Sequence, residues 1–152
     1  MGNNPNDIIK VTVDKFIFTF PVGLRYSDSG LWIRLEEGLA RVGLSDFAQQ
    51  RNGDIAFANL PDMGSLVDAG DEIASIETVK VNISLPSPLK GRIVETNSAL
   101  EDSPELINQD PYGSGWMVVL EVEGLEQEIG KLLDADAYAR IAQQQADAEL
   151  KL

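Results

Sequence analysis

Lys80 stands alone in Ile76-Glu77-Thr78-Val79-Lys80, between two stretches that alternate apolar and polar side chains. Before it, Ile73 and Ser75 fall on one face and Glu72, Ala74 and Ile76 on the other. After it, Val81, Ile83 and Leu85 oppose Asn82 and Ser84. Alternation of period two, broken once, reads as strand, turn, strand. It predicts an exposed hairpin with a primary amine at or near its tip. A catalytic lysine is normally activated by burial or by a second cation. An open tip beside Glu77 supplies neither. Lys80 is therefore suited to being modified by another enzyme rather than to turning over a substrate, and no catalytic residue is assigned.

Composition narrows the field further. The chain has 152 residues, enough for one hydrophobic core, and residues 1–152 are read as a single domain. Twelve Lys and Arg against 25 Asp and Glu give a net charge of −13. Phosphates would be repelled, so nucleic acid is not the expected partner. With no cysteine and no histidine, disulfides, thiolate nucleophiles, Ser-His-Asp triads and zinc-histidine sites are excluded, and no metal site is assigned. The many carboxylates form no convincing acid-base pair in an apolar setting. The greasiest run, Phe16 to Val22, is bounded by Asp14, Lys15 and Pro21 and is too short to cross a bilayer. A reducing, aqueous, cytoplasmic setting without membrane insertion is expected.

The elements that must position Lys80 are mostly short strands. Met1 to Asn6 is polar and expected to be loose. Ile8 to Phe20 has strand composition without a clear register. Leu31 to Leu35 and Leu39 to Gly43 read as strands joined at Glu37-Gly38. Ser45 or Asp46 caps a short helix carrying Phe47 and Ala48. Ile55 to Leu60 is a further strand, stopped by Pro61-Asp62-Met63-Gly64. Pro86-Ser87-Pro88 ends the second arm of the lysine hairpin. Ser103-Pro104-Glu105 predicts a helix start with Ser103 as N-cap. Trp116 to Val122 is a last strand. Leu125, Ile129, Leu132, Leu133, Tyr138 and Ile141 follow at helical spacing, with a polar tail from Gln143 expected to fray. Together these predict a mainly β fold, a flattened sandwich or barrel with helices at its margins and at its C-terminus. Gly113-Ser114-Gly115 is a tight turn rather than a phosphate loop.

Gly70-Asp71, Ile76 to Lys80 and Gly91 resemble the attachment hairpin of biotinyl/lipoyl carrier domains. More narrowly, the chain resembles the glycine cleavage system H protein family. Arg25-Tyr26, Trp32, Val42 to Ala48, Gly53-Asp54-Ile55, Leu60-Pro61, Gly64 and Ala69-Gly70-Asp71 fall in that family's order. Asn97, Ala99 to Asn108, Asp110 to Gly113, Gly115-Trp116 and Leu132 to Tyr138 continue it. The resemblance implies a barrel-sandwich hybrid of the lipoyl-carrier type. It also implies (R)-lipoate in amide linkage on Lys80, with Glu77, Thr78, Val79 and Val81 forming the attachment hairpin. The lysine charge would be replaced by a long arm ending in a dithiolane. Glu77 matches the family's attachment motif and is expected to help a lipoate ligase or a lipoyl/octanoyl transferase recognise the hairpin.

Departures from the family pattern bear on the cargo. Gly30-Leu31-Trp32 stands where the family usually has His-Glu-Trp, a segment that contributes to the pocket sheltering the loaded arm. Loss of an imidazole and a carboxylate from such a pocket disfavours a cationic aminomethyl cargo. Val81 replaces the commoner alanine. The segment before Arg25 is longer and more hydrophobic, so that Phe16, Phe18 and Phe20 either cover an edge of the core or form a docking surface. These changes lean toward the H-like lipoate-binding proteins of cytoplasmic sulfur oxidation, whose arm would shuttle sulfur intermediates to a heterodisulfide-reductase-like complex. The alternative is the aminomethyl carrier that serves glycine decarboxylase, aminomethyltransferase and dihydrolipoyl dehydrogenase. From a different class, an unmodified protein-interaction module would use the same acidic surface without any adduct.

Overall fold

A computed structural model of the chain describes residue 4 and residues 6–150. The expectation of a loose Met1 to Asn6 falls largely outside the described residues. Strands β1 (Ile8–Val13) and β2 (Phe16–Pro21) form a separate antiparallel hairpin. Next come β3 (Arg25–Tyr26), β4 (Leu31–Glu36), β5 (Leu39–Leu44), helix α1 (Asp46–Asn52), β6 (Ile55–Asn59) and β7 (Leu66–Val67). The lysine hairpin is β8 (Glu72–Thr78) and β9 (Asn82–Pro86), followed by β10 (Gly91–Thr96). Two single-turn helices, α2 (Ala99–Asp102) and α3 (Leu106–Gln109), lead to β11 (Val118–Glu121), α4 (Leu125–Ile129) and the long α5 (Ala135–Leu150).

Among the described residues the strands make three open sheets, ordered β1-β2, β3-β4-β5-β11-β10-β7 and β6-β8-β9. None closes on itself, and five helices accompany them. The fold is therefore mixed α/β with open sheets, which corrects the expected mainly β carrier sandwich or barrel-sandwich hybrid. The physical reason lies at the edges. The six-stranded sheet ends in β3 and β7, each only two residues long, too short a ladder to carry pairing onward. Bulges between Ile55 and Phe57, Glu72 and Ala74, and Ile93 and Glu95 interrupt register inside the two larger sheets.

Local chemistry accounts for most elements. Glu37 (φ 53°) and Gly38 (φ 78°) both take the left-handed conformation that a two-residue hairpin turn needs, so β4 and β5 pair in full register from Leu31↔Leu44 to Glu36↔Leu39. Ser45 caps α1, its hydroxyl accepting from the Ala48 amide. Ser103 does not cap α3 as expected. Its amide instead closes α2 on the Ala99 carbonyl, and the Pro104-Glu105 turn delays the helix to Leu106. The C-terminal segment does not fray at Gln143: α5 runs to Leu150, with Ala142 and Ala146 buried.

Two hydrophobic clusters hold the molecule. One lies between the larger sheets and includes Leu31, Ile33, Val42, Ile76, Leu85, Ile93 and Leu120. The other is aromatic and gathers Phe18, Phe20, Tyr26, Trp32, Phe47 and Tyr138 under α5 and the β1–β2 hairpin. Tyr26 and Tyr138 stack with ring centroids 5.0 Å apart, and Phe20 meets Tyr138 edge-on at 5.5 Å. Such pairs contribute about 1 kcal/mol each beyond area burial. Gly43 lies opposite Trp32 in the β4–β5 ladder. A Cβ there would sit 2.6 Å from the indole ring, so only glycine lets the ring lie across β5.

Candidate functional site

The lysine hairpin begins deep in the molecule and ends in solvent. Ile73, Ala74 and Ile76 of β8 and Leu85 of β9 are buried. The bulge beside Ile73 is what allows two consecutive residues, Ile73 and Ala74, to be buried in a strand that otherwise alternates. Toward the tip burial falls away. Val79 is 93% exposed, Val81 is 47% exposed, and Lys80 between them is exposed. Among the described residues, none of the five ion pairs involves Lys80. The turn is held from its base. The Thr78 amide donates to the Val81 carbonyl at 2.9 Å. The Thr78 hydroxyl accepts from the Lys80 amide at 3.3 Å and from the Val81 amide at 3.2 Å, and it donates to the Val81 carbonyl at 3.3 Å. Its one donor and two acceptor positions are all used.

Glu77, half-buried one residue before Thr78, points along the outer face of the three-stranded sheet beside Phe57 of β6 and Asn82 of β9. Asn59 donates through Nδ2 to the Glu77 carboxylate at 3.2 Å and to the Ser75 hydroxyl at 3.2 Å. A carboxylate held by a neighbouring amide keeps one direction relative to the backbone. Phe57, directly opposite Glu77, is 62% exposed. The tip thus presents an amine, an oriented carboxylate and the apolar groups of Phe57, Val79 and Val81. Such a surface can be gripped by a modifying enzyme, and an amine so free of partners is open to acylation. Asn59 and Phe57 were not singled out from the sequence. Each reaches Glu77 or its face only through pairing with β6, whose register is shifted by the bulge at Ala56.

Gly30, Leu31 and Trp32 lie elsewhere, and all three are buried. Leu31 belongs to the core between the larger sheets and Trp32 to the aromatic core. The indole Nε1 donates to the Pro111 carbonyl at 2.8 Å, and the Arg34 guanidinium stacks 4.8 Å from the ring centroid. Gly30 has φ +96°, and a Cβ there would come within 2.9 Å of Ala48 Cβ and 3.3 Å of the Tyr138 hydroxyl. Apart from the Arg34 guanidinium, the surroundings of this segment are mainly apolar and aromatic. The nearby phenols keep their protons because burial raises Tyr26, Tyr112 and Tyr138 well above the ordinary phenol range. Of the three phenylalanines before Arg25, Phe18 and Phe20 are buried and Phe16 is 37% exposed. The pair at 18 and 20 covers the aromatic core rather than offering a docking face.

A family model described as glycine cleavage H-protein matches residues 24–145, beginning just after the β1–β2 hairpin. The glycine cleavage system H protein of Alcanivorax borkumensis is 45% identical over 129 residues, spanning 85% of this chain and 97% of the relative. That of Stenotrophomonas maltophilia is 47% identical over 120 residues, spanning 78% and 91%. The crystal structure of a glycine cleavage system H protein from Mycobacterium marinum superposes with a TM-score of 0.71 at 34% identity, covering 79% of this chain and 96% of that one.

Proposed function

Because the chain belongs to the glycine cleavage H-protein family, we propose that it is a non-catalytic carrier whose Lys80 bears a lipoyl group and passes an aminomethyl cargo among the glycine cleavage enzymes. The observation that carries the reading is the placement of Lys80: an exposed amine in a held turn, on a chain similar to H proteins over most of its length. The deprotonated Nζ attacks the acyl carbon of an activated lipoyl donor. The amide C–N bond forms, the bond from that carbon to the donor's leaving group breaks, and the ammonium proton goes to solvent. A lipoate ligase or a lipoyl/octanoyl transferase would supply that donor. Once attached, the dithiolane supplies the redox and group-transfer chemistry. The protein's own contribution is a rigid base and a tether that raises the local concentration of the sulfurs at each docked partner. Dihydrolipoyl dehydrogenase would reoxidise the arm.

The names of the relatives support this cargo better than the sulfur intermediates suggested by Gly30-Leu31. One observation keeps a sulfur-carrying role as a second reading: the segment at Gly30 to Trp32 has no carboxylate of its own and is buried among apolar and aromatic groups, with the Arg34 guanidinium against Trp32. The test is intact mass after co-expression with a lipoylating system, then incubation of the loaded protein with glycine decarboxylase, pyridoxal phosphate and glycine. The expected result is one lipoyl adduct, lost in Lys80→Ala, and an aminomethyl mass increment on the arm. An arm that stays unloaded there but accepts sulfur from a heterodisulfide-reductase-like complex would transfer the chain to the second reading. A chain that stays bare would leave only an interaction module.

A further inference from the structure

The turn at Lys80 is built unlike the other tight hairpin turns of the molecule. A two-residue hairpin turn normally needs positive φ at one or both central residues. The β1–β2 turn meets this with Asp14 at φ 56°, and the β4–β5 turn with Glu37 and Gly38. Among the described residues, Asp14 and Glu37 are the only non-glycine residues with positive φ. Val79 and Lys80 therefore stay on the ordinary side of φ space, as a β-branched residue must without strain. In a regular turn of this length the last amide would return to the first carbonyl. Here the Val81 amide meets the Thr78 hydroxyl instead, and the Lys80 amide joins it there.

We infer that Thr78 is a positioning residue for modification of Lys80: its hydroxyl replaces the returning backbone bond of a positive-φ turn and so holds the lysine out at a fixed place relative to Glu77. This rests on the carrier reading above. A glycine or asparagine turn would close by backbone alone. Here the backbone supplies only the Thr78 amide to Val81 carbonyl bond, and one side-chain oxygen takes the amides of Lys80 and Val81. The hydroxyl acts through the backbone and touches no reacting atom. Its effect should therefore fall on how well the hairpin fits the lipoylating enzyme rather than on the acyl transfer that follows.

The test uses the full chain with Thr78→Val, which keeps shape and removes the hydroxyl, and Thr78→Ser, which keeps the hydroxyl. Initial rates are measured with purified lipoate ligase, lipoate and ATP over a range of carrier concentrations. Amide exchange of Lys80 and Val81 is followed by NMR on the unmodified proteins. In Thr78→Val the KM for the carrier should rise about fivefold at unchanged kcat, and both amides should exchange about fivefold faster, the effect of losing a typical net hydrogen bond. Thr78→Ser should restore both. A modified parent alongside a Thr78→Val variant with parental KM, or a Thr78→Ser variant as impaired as Thr78→Val, overturns the positioning role. A parent that is never lipoylated overturns the carrier reading on which this one stands, and the exchange data separate the two failures. Faster exchange in Thr78→Val would then still report the hydroxyl's hold on the turn.

Discussion

Two hairpins of similar length have opposite fates in this molecule. β1–β2 is clamped along one face and along the outer edge of β2. Phe18 and Phe20 are buried, and the outer edge of β2 is capped by α1, where the Asp46 carboxylate accepts from the Thr19 amide at 2.9 Å and Gln50 donates to the Ile17 carbonyl at 2.9 Å. Two phenols add to this: Tyr26 donates to the Pro21 carbonyl at 2.7 Å and Tyr112 to the Thr19 carbonyl at 2.6 Å. β8–β9 is buried only at its root, and its tip is held by one backbone bond, Thr78 amide to Val81 carbonyl, and one threonine hydroxyl. Both are antiparallel hairpins of apolar-rich strands. What differs is whether helices and aromatic rings lie close enough to cover them. The first hairpin therefore stabilises the molecule, whereas the second leaves its last three residues free to meet partners.

The contrast predicts a crossed pair of outcomes, and these are the largest effects expected. Phe20→Ala empties a fully buried site in the aromatic core and should lower unfolding free energy by about 3–5 kcal/mol, read as a lower urea midpoint at constant slope. Its Lys80 should still be lipoylated wherever the protein stays folded. Lys80→Ala should do the reverse, losing the adduct entirely while stability stays within about 0.5 kcal/mol. Equal destabilisation by the two changes would erase the distinction between the hairpins.

High pH separates the same two regions by a different route. All three tyrosines of the chain, Tyr26, Tyr112 and Tyr138, are raised above their ordinary value chiefly by burial. Below about pH 10 both folded and unfolded chains keep the phenol protons, so these groups add no pH dependence. Above it the unfolded chain releases protons that the folded chain retains, so stability falls as pH rises. The slope approaches about 1.4 kcal/mol per pH unit for each tyrosine. Tyrosinate absorbance near 295 nm should therefore appear together with loss of near-UV circular dichroism. Tyrosinate forming at pH 10 in a still-folded protein would show that these phenols do not clamp β2.

What could be read from the sequence tracks how local its cause is. The amine at the hairpin tip was legible because period-two alternation and a single break are properties of adjacent residues. The Glu37-Gly38 turn was legible for the same reason. The openness of the sheets was not, since it depends on β3 and β7 being only two residues long, and nothing in their composition announces that length. The C-terminal helix was underestimated beyond Gln143 because its buried face on either side of that residue is alanine, Ala142 and Ala146, whose small apolar side chains barely mark a stripe. The partner of Glu77 was invisible because the bulge at Ala56 decides which residue of β6 faces which residue of β8.

That partner provides the finest probe of the exposed hairpin. Asn59 holds the Glu77 carboxylate with one long hydrogen bond at the surface. Such a bond contributes at most about 1 kcal/mol, and less once water can replace the amide. Asn59→Ala should leave unfolding free energy within about 0.5 kcal/mol of the parent. If the direction of the carboxylate matters to the lipoylating enzyme, the KM for the carrier should still rise about twofold, since a freed side chain spreads over several rotamers. Glu77→Gln, which keeps the shape and drops the charge, sets the scale for that comparison. An Asn59→Ala variant with parental KM beside an impaired Glu77→Gln would mean that the charge is read wherever it points. Parental kinetics in both would remove Glu77 from recognition and leave the held turn at Lys80 as the feature the enzyme meets.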